Sequence, residues 1–212
     1  MASNAADVEH VATWRGRISR RRALAGAAAT VCSAALGVQV VDPADALAAA
    51  SNASPSKAED ERVLQFVLQL EYTQVAFYEL ALREAGLRGA LRVFAETALD
   101  QERQHLDAVR RALGSKAGAK PRFNFGQNTK SEHGFWRTAI KLEDVAVASY
   151  NGQATNLTPA TLAAAARIVS VEARHAAWVR ALVGEVAAPH PIDKPLTATA
   201  AAAALHAIGL RS

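Results

Sequence analysis

The chain repeats one spacing, first as Glu102-Arg103-Gln104-His105 and again as Glu172-Ala173-Arg174-His175. Residues three apart lie on the same face of a helix, so each segment directs a carboxylate and an imidazole to one side. A lone glutamate precedes each segment: Glu71 lies 31 residues before Glu102, and Glu143 lies 29 residues before Glu172. The repeat therefore predicts two similar halves, each built from a pair of helices.

Apolar residues recur every three or four positions along four stretches of the chain, which is the periodicity of amphipathic helices. The glutamates and histidines of the repeat interrupt these apolar stripes. Glycines at 86, 114 and 184 are expected to end three of the helices. Thr158 and Pro159 are the predicted N-cap and first residue of the fourth helix, whose apolar stripe includes Leu162. The first two predicted helices cover residues 58–85 and 87–113. The third is predicted to begin near residue 131, and the fourth to run from 159 to about 184.

The connections between the helices differ in length, and this difference predicts the topology. The first and second helices are joined by a few residues, as are the third and fourth, so each pair is expected to be antiparallel. Residues 115–130 are predicted to be a non-helical link. Such a link spans up to roughly 50 Å, more than the length of about 37 Å of a 25-residue helix. We expect an all-α four-helix bundle, followed by a proline-containing tail and a short helix at 199–208.

The composition suits one helical domain and does not indicate nucleic-acid binding. The chain has 212 residues, of which 50% are hydrophobic and 6% aromatic, enough for one buried core. The formal net charge is +4, but five arginines lie within the first 22 residues, and no other stretch combines basic and aromatic residues. Cys32 is the only cysteine, so neither an intrachain disulfide nor a thiolate metal site is expected.

The N-terminal segment is predicted to be an export signal. Adjacent arginines at 20–22 precede a weakly apolar run at 23–41, and Ala46-Leu47-Ala48 follows as a small-x-small cleavage site. This pattern resembles a twin-arginine signal, which implies export to the periplasm or exterior of a bacterium. A membrane anchor is the alternative, although alanine and glycine make a poor span. The predicted regions are a signal peptide at 1–48, a linker at 49–57, the bundle at 58–184 and the tail at 185–212.

Six residues of the repeat are the predicted metal ligands. Four ionised carboxylates inside a bundle are very unfavourable without a cation. Two divalent ions would balance their charge, and four carboxylates with two imidazoles suit iron or manganese better than zinc. A single Glu-x-x-His is common on helix surfaces, but six such residues in register on apolar stripes are not. The predicted ligands are Glu71, Glu102, His105, Glu143, Glu172 and His175.

At these residues the chain resembles the ferritin-like superfamily, in particular its exported bacterial subgroup related to desiccation-associated proteins. The matching segments are Leu70-Glu71-Tyr72, Phe77-Tyr78, Leu142-Glu143-Asp144-Val145 and Val171-Glu172-Ala173-Arg174-His175-Ala176-Ala177. The resemblance spans residues 58–210 and implies a hairpin, a long crossover and a second hairpin. It also implies that Glu102 and Glu172 bridge two metal ions. The lone glutamates of each half would then be terminal ligands.

Four further positions bear on the site. Many oxygen-activating relatives have Asp immediately before each Glu-x-x-His, whereas this chain has Gln101 and Val171, so weaker support of the histidines is expected. Tyr78 and Tyr150 each lie seven residues after a lone glutamate. We interpret them first as core tyrosines with satisfied hydroxyls. Donation to the ligating carboxylates, or electron transfer, is the alternative.

The residues define the site better than the reaction, and no catalytic residue is assigned. One hypothesis is a redox enzyme in which two metal ions act on a small oxidant, peroxide or oxygen. A second is a stress- or desiccation-associated protein that sequesters metal without turnover. A third is iron storage, which needs an assembly surface. A homo-oligomer remains open, no nucleic-acid partner is expected, and membrane contact is expected only through the export signal.

Overall fold

A computed structural model describes residues 54–211. The described part contains five α-helices: α1 (Lys57–Glu84), α2 (Gly89–Leu113), α3 (Glu132–Gln153), α4 (Pro159–Leu182) and α5 (Ala198–Ile208). Two short strands, β1 (Arg122–Phe123) and β2 (Leu210–Arg211), pair with each other. The predicted all-α bundle is confirmed. The predicted signal peptide at 1–48 and most of the predicted linker lie outside the described residues. Within 54–211, no helix combines the length and hydropathy needed to cross a membrane.

Side-chain caps define the first residues of α1 and α3. Ser56 accepts a hydrogen bond from the backbone N–H of Glu59, and Ser131 accepts one from that of Gly134, each at 3.1 Å. Such caps satisfy N–H groups that have no partner within the helix. Thr158 lies at the predicted N-cap of α4, but its side chain makes no capping bond. Its hydroxyl donates instead to Asp60 at 2.6 Å, which joins the start of α4 to the start of α1.

The helix directions follow from contacts near the middle of the bundle. Glu71 contacts Tyr150, whereas the later residue Tyr78 contacts the earlier residue Glu143, so α1 and α3 are antiparallel. The short connection between α1 and α2 makes these two antiparallel as well. Therefore α2 and α3 run in the same direction, and the link between them must return along the bundle. This is the predicted order of hairpin, crossover and hairpin.

The link between α2 and α3 is more structured than predicted. Residues 115–130 were expected to be non-helical, but the link contains the 3₁₀ turns Gly114–Lys116 and Gly126–Thr129 as well as β1. Strand β1 pairs antiparallel with β2, so the C-terminal residues hold the link. Phe125 packs on Phe77 of α1, with ring centroids 5.5 Å apart. A two-residue strand has too few residues for an alternating pattern, so the sequence alone did not reveal it.

On one side of the repeat residues the core is aromatic. Phe77 and Phe135 stack with centroids 5.7 Å apart, and Tyr78 and Phe94 meet edge to face at 6.0 Å. Trp178 of α4 packs edge-on against Phe94 at 5.2 Å. Offset and edge-to-face rings are the favourable arrangements for aromatic pairs. We call this region, formed by these five residues, the aromatic end.

On the other side of the repeat residues lies a partly open cavity of about 270 Å³. No residue of α4 between 159 and 171 is fully buried, because its many alanines are too short to fill the space. Leu162, predicted to lie on the apolar stripe, is 39% exposed, so that part of the prediction is wrong. We call this region the alanine end; residues of its wall include Val67, Val109, Tyr150, Leu157, Ala165 and Ile168.

The C-terminal tail packs directly on α3. The backbone N–H of Leu196 donates to the carbonyl of Ala148 at 2.9 Å. A Cβ at Gly152 would lie 1.9 Å from the Leu196 carbonyl oxygen, so this close approach requires glycine. Helix α5 is the predicted short helix and begins one residue earlier than predicted. The tail and α5 pack on the outer side of the bundle.

Candidate metal centre

The six predicted ligands lie in one buried layer across the four long helices. The four glutamates are 0% exposed, and His105 and His175 are 9% and 2% exposed. Helices α1 and α3 each contribute one glutamate, while α2 and α4 each contribute a glutamate and a histidine. Because each ligand occupies a position on the apolar stripe of its helix, packing of the stripes brings all six side chains inward.

The cluster divides into two overlapping groups of potential ligands. In each group, one ligand atom from every residue lies within 4.8 Å of the others, so each group could hold a metal ion. Two glutamates, Glu102 and Glu172, belong to both groups. The first group is Glu71, Glu102, His105 and Glu172, and the second is Glu102, Glu143, Glu172 and His175.

The two shared glutamates are oriented differently. Glu102 presents one oxygen to each histidine: Oε2 lies 3.2 Å from Nδ1 of His105, and Oε1 lies 3.0 Å from Nδ1 of His175. Glu172 presents Oε1 to Nδ1 of His105 at 2.9 Å. Its Oε2 instead accepts a hydrogen bond from Nε2 of Gln74 at 2.8 Å. The two halves of the repeat therefore differ at their shared glutamates, because only one oxygen of Glu172 faces a histidine.

Both tyrosines of the repeat donate to lone glutamates. The hydroxyl of Tyr150 donates to Glu71 at 2.6 Å, and the hydroxyl of Tyr78 donates to Glu143. They are core tyrosines with satisfied hydroxyls, as predicted, but their acceptors are the predicted ligands, which was the alternative interpretation. Burial and the adjacent carboxylates raise the pKa of both hydroxyls well above the ordinary value. The hydroxyls therefore remain protonated donors.

The residue before each Glu-x-x-His differs in its contacts. Oε1 of Gln101 lies 2.8 Å from Nε2 of His175. Since an amide oxygen only accepts, this contact places an N–H at Nε2 and leaves Nδ1 facing the glutamates. Gln101 of α2 therefore orients the histidine of α4, through a neutral amide where many relatives have a carboxylate. The expectation of weaker support stays a prediction. Val171 has no polar group with which to do the same for His105.

Gln74 is a member of the cluster that sequence reasoning missed. It is completely buried on α1, and its Nε2 lies 2.8 Å from Oε2 of Glu172 and 3.4 Å from Oε2 of Glu143. Its position three residues after Glu71 was the available signal, since such residues share a helix face. The equivalent position after Glu143 is Ala146, so the repeat did not point to an amide.

Burial and repulsion between charges disfavour the ionised forms of Glu71 and Glu172 in the metal-free cluster. Burial, followed by the charges of Glu172 and Glu102, raises the pKa of Glu71 well above its ordinary value. Burial also raises the pKa of Glu172 to about 7. Burial lowers the pKa of both histidines, but contacts with the glutamates outweigh it and raise the pKa of His105 to about 11 and that of His175 to about 10. In the metal-free protein, protonated histidines therefore supply the positive charge.

The donor set fits divalent cations. Four buried atoms of this set, Oε2 of Glu71, Oε1 of Glu102, Oε1 of Glu172 and Nδ1 of His175, have no well-aligned hydrogen bond among residues 54–211. Their contacts with one another are charge contacts between histidine and glutamate, such as the 3.0 Å between Nδ1 of His175 and Oε1 of Glu102. Buried polar atoms are normally paired, so such an inward-facing set needs an explanation. A cation would satisfy these atoms together, and carboxylate oxygens with imidazole nitrogens are ligands that iron and manganese accept.

One comparison with known proteins identifies a family. The sequence model described as Ferritin-like domain matches residues 59–185. The matched range is more than half of the chain, and it includes nearly all of α1, all of α2, α3 and α4, and the six predicted ligands. No curated protein matches this chain. The match therefore supports the fold and the helix order, and the chemistry must be argued from the site.

Proposed function

The chain belongs to the ferritin-like domain family, and we propose that it binds two divalent metal ions, iron or manganese, at the six buried residues. The observation that carries this proposal is the overlap of two ligand groups at Glu102 and Glu172. These two glutamates would bridge the ions. Glu71 and His105 would complete the ligands of one ion, and Glu143 and His175 would complete those of the other.

The charge of the cluster supports two ions better than one. Four glutamates carry four negative charges when ionised, and two divalent cations supply four positive charges. Metal binding would release the protons held by the histidines, because a ligating imidazole must present a free nitrogen. Mainly oxygen donors with two imidazoles favour iron or manganese, since zinc prefers tetrahedral nitrogen or sulfur sites.

We propose that the loaded site acts on a small oxidant, peroxide or oxygen. Bound iron or manganese would supply the redox chemistry. The ligands are almost completely buried, so only a small molecule can approach them. The cavity of about 270 Å³ at the alanine end is lined in part by Tyr150, whose hydroxyl donates to Glu71. Tyr150 and Tyr78 hold the lone glutamates in place and keep protonated hydroxyls beside them.

The second candidate is a metal-binding protein without turnover, associated with stress or desiccation, or with iron storage. The complete burial of the four glutamates favours it, because an enclosed carboxylate site retains metal but slows the exchange of reactants. In this case peroxide decomposition by the loaded protein would equal that of the metal-free protein, while metal would still stabilise the fold through linkage.

Metal titration of the full chain tests the proposal. The wild type should bind two ions of Mn²⁺ or Fe²⁺, the latter under anaerobic conditions. The Glu102→Gln and Glu172→Gln variants should lose more than about tenfold in affinity for at least one ion, since even residues that only support ligands have effects of this size. The matched control is Glu59→Gln, a buried glutamate at the start of α1 that pairs with Arg62.

The outcomes separate the two candidate functions. Two bound ions together with peroxide decomposition that His105→Ala abolishes would support the redox function. Two bound ions without any excess turnover would support the metal-binding protein. If Glu102→Gln and Glu172→Gln bind metal as tightly as the wild type and Glu59→Gln, the six-residue site is wrong.

A further inference from the structure

The amide of Gln74 contacts two glutamates that occur together in only one of the two ligand groups. Its Nε2 lies 2.8 Å from Oε2 of Glu172 and 3.4 Å from Oε2 of Glu143. Both neighbours are carboxylates, which accept hydrogen bonds when ionised, so the NH₂ of the amide must face them. The two glutamates occur together in the group that contains His175. Gln74 therefore places a neutral hydrogen-bond donor on that side of the centre.

The shared glutamates show the effect of this donor. Both oxygens of Glu102 face a histidine, at 3.2 Å from His105 and 3.0 Å from His175. Only Oε1 of Glu172 does so, at 2.9 Å from His105. The Oε2 atom of Glu172, whose counterpart in Glu102 faces the histidine of its own helix, accepts a hydrogen bond from Gln74 instead. At the position equivalent to Gln74, Ala146 has no group that could hold Glu102 in the same way.

We propose that Gln74 is a positioning residue that lowers metal affinity mainly at the group containing Glu143 and His175, because it bonds Oε2 of the shared Glu172 and leaves Oε1, the oxygen nearest His105, free of the amide. This inference rests on the proposed function, namely two ions bridged by Glu102 and Glu172. A charge-assisted hydrogen bond withdraws electron density from Oε2 of Glu172 and competes for its lone pairs. A metal ion on that side must share or displace this bond, so the two ions bind with unequal affinity.

The oxygen of the Gln74 amide does not explain its orientation. Oε1 of Gln74 is buried and has no hydrogen-bond partner among residues 54–211. The carboxylates are therefore the groups that orient this amide, and a buried polar atom without a partner is unfavourable. Among the described residues, the contacts of this amide are therefore those of its NH₂ with Glu172 and Glu143, and its effect is expected on these two glutamates.

The test uses Co²⁺ alone, titrated into the metal-free full chain and followed by its visible absorption. In Gln74→Leu, the dissociation constant of one ion should fall by about tenfold, because loss of a charge-assisted bond of about 1.4 kcal/mol corresponds to this factor. The other constant should change by no more than about twofold, because Oε1 of Glu172, the oxygen nearest His105, is not bonded to Gln74. The absorption bands of one ion, and not of both, should shift.

Two histidine variants assign the change to one group. The effect of Gln74→Leu should persist in the His105→Ala background, where the group with His175 remains complete. It should disappear in the His175→Ala background. Double-mutant comparison of this kind isolates the coupling between two residues.

The controls separate this role from a general loss of packing. Gln153→Leu replaces another buried amide, which bonds to Asn156 and not to the cluster, and should alter neither constant. Gln74→Asn keeps the amide but shortens it, so it should resemble Gln74→Leu; it also replaces that variant if Gln74→Leu does not fold. Two bound ions with unchanged or equally changed constants would overturn the inference alone. Failure of the wild type to bind metal at all would overturn the proposed function and this inference together.

Discussion

The aromatic end and the alanine end flank the same buried cluster, but they are packed in opposite ways. At the aromatic end, rings from α1 to α4 fill the space and include Phe77, Phe94 and Phe135, all completely buried. At the alanine end, the first half of α4 has no fully buried residue, and a cavity of about 270 Å³ lies between the helices. The difference lies in side-chain volume, because the backbone helices continue through both ends.

This difference shows how one bundle can pack tightly on one side of the cluster and leave space for small molecules on the other. Alanine has the highest helix propensity, so the first half of α4 remains helical with little burial. Aromatic rings supply a large buried area on the other side of the cluster. The predicted ligands are thus packed firmly from one side, while the other side has a cavity next to Tyr150.

The largest expected effect comes from enlarging one alanine at each end. Ala139 is completely buried in α3 between Phe135 and Glu143, so Ala139→Leu should lower the free energy of unfolding by about 1–3 kcal/mol through overpacking. Ala165 lines the cavity, so Ala165→Leu should either lower the free energy of unfolding by less than about 0.5 kcal/mol or raise it. Urea unfolding of the metal-free full chain measures both values.

The exposed Ala163 of α4 provides the control for this pair. Ala163→Leu reports the change in helix propensity alone, which is small. Equal destabilisation by Ala139→Leu and Ala165→Leu would contradict the difference in packing between the two ends.

The second prediction compares the loss of stability when the hydroxyl of each tyrosine is removed. Tyr78→Phe would leave Oε1 of Glu143 without a donor in the closed aromatic end and should cost about 1–3 kcal/mol of unfolding free energy. Tyr150→Phe should cost less, because water in the cavity can replace the lost hydroxyl near Glu71. Thermal and urea unfolding of metal-free protein check the order.

The matched control is Tyr72→Phe, which removes a hydroxyl with only a weak contact, 3.5 Å from the carbonyl of Gly118. This variant should unfold almost like the wild type. A larger loss for Tyr150→Phe than for Tyr78→Phe would indicate that the alanine end is as closed as the aromatic end.

The smallest effect concerns the polar contact at the rim of the alanine end. Asp60 accepts hydrogen bonds from the N–H and hydroxyl of Thr158 at 2.9 and 2.6 Å, and from the hydroxyl of Thr161 at 2.7 Å. Burial raises the pKa of Asp60, but these hydrogen bonds outweigh it and hold the pKa below its ordinary 3.8. Asp60→Asn should cost about 1 kcal/mol of unfolding free energy at neutral pH.

The sign of the pH dependence follows from the lowered pKa. The ionised Asp60 contributes to the free energy of unfolding at pH values above the unfolded pKa near 3.8. This contribution is lost as the pH falls through the lower pKa of the folded protein. The stability difference between the wild type and Asp60→Asn should therefore narrow in acid, as measured by urea unfolding at several pH values. A difference that stays constant would contradict the role of the charge; Thr161→Val is the control that keeps the carboxylate.

Much of the fold and most of the site could be predicted from the sequence. The period of the apolar residues indicates helices, and the long and short connections indicate their order. The six predicted ligands are recognisable because each glutamate or histidine interrupts an apolar stripe at a repeated spacing. Such positions face the core wherever the stripe is packed against other helices, as it is around the cluster but not at Leu162. The export signal at 1–48 stays a prediction.

The remaining features depend on partners that are distant in sequence. Gln101 supports a histidine on another helix, although its place in the pattern suggested a weaker site. Thr158 bonds to Asp60, although its place suggested a local cap. Strand β1 forms only because β2 lies beside it. Local patterns contain no information on which side chain of another helix will be opposite.

The sequence by itself determined which face of each helix is apolar and in what order the helices follow, because hydrophobic periodicity and loop length act along the chain. Only the tertiary structure decided how the buried groups pair. It directed both oxygens of Glu102 toward histidines but turned one oxygen of Glu172 toward Gln74. It also filled one end with rings and left a cavity at the other. Hydrogen bonds and packing depend on distances of a few ångströms between helices, and such distances arise only when the four apolar faces pack together.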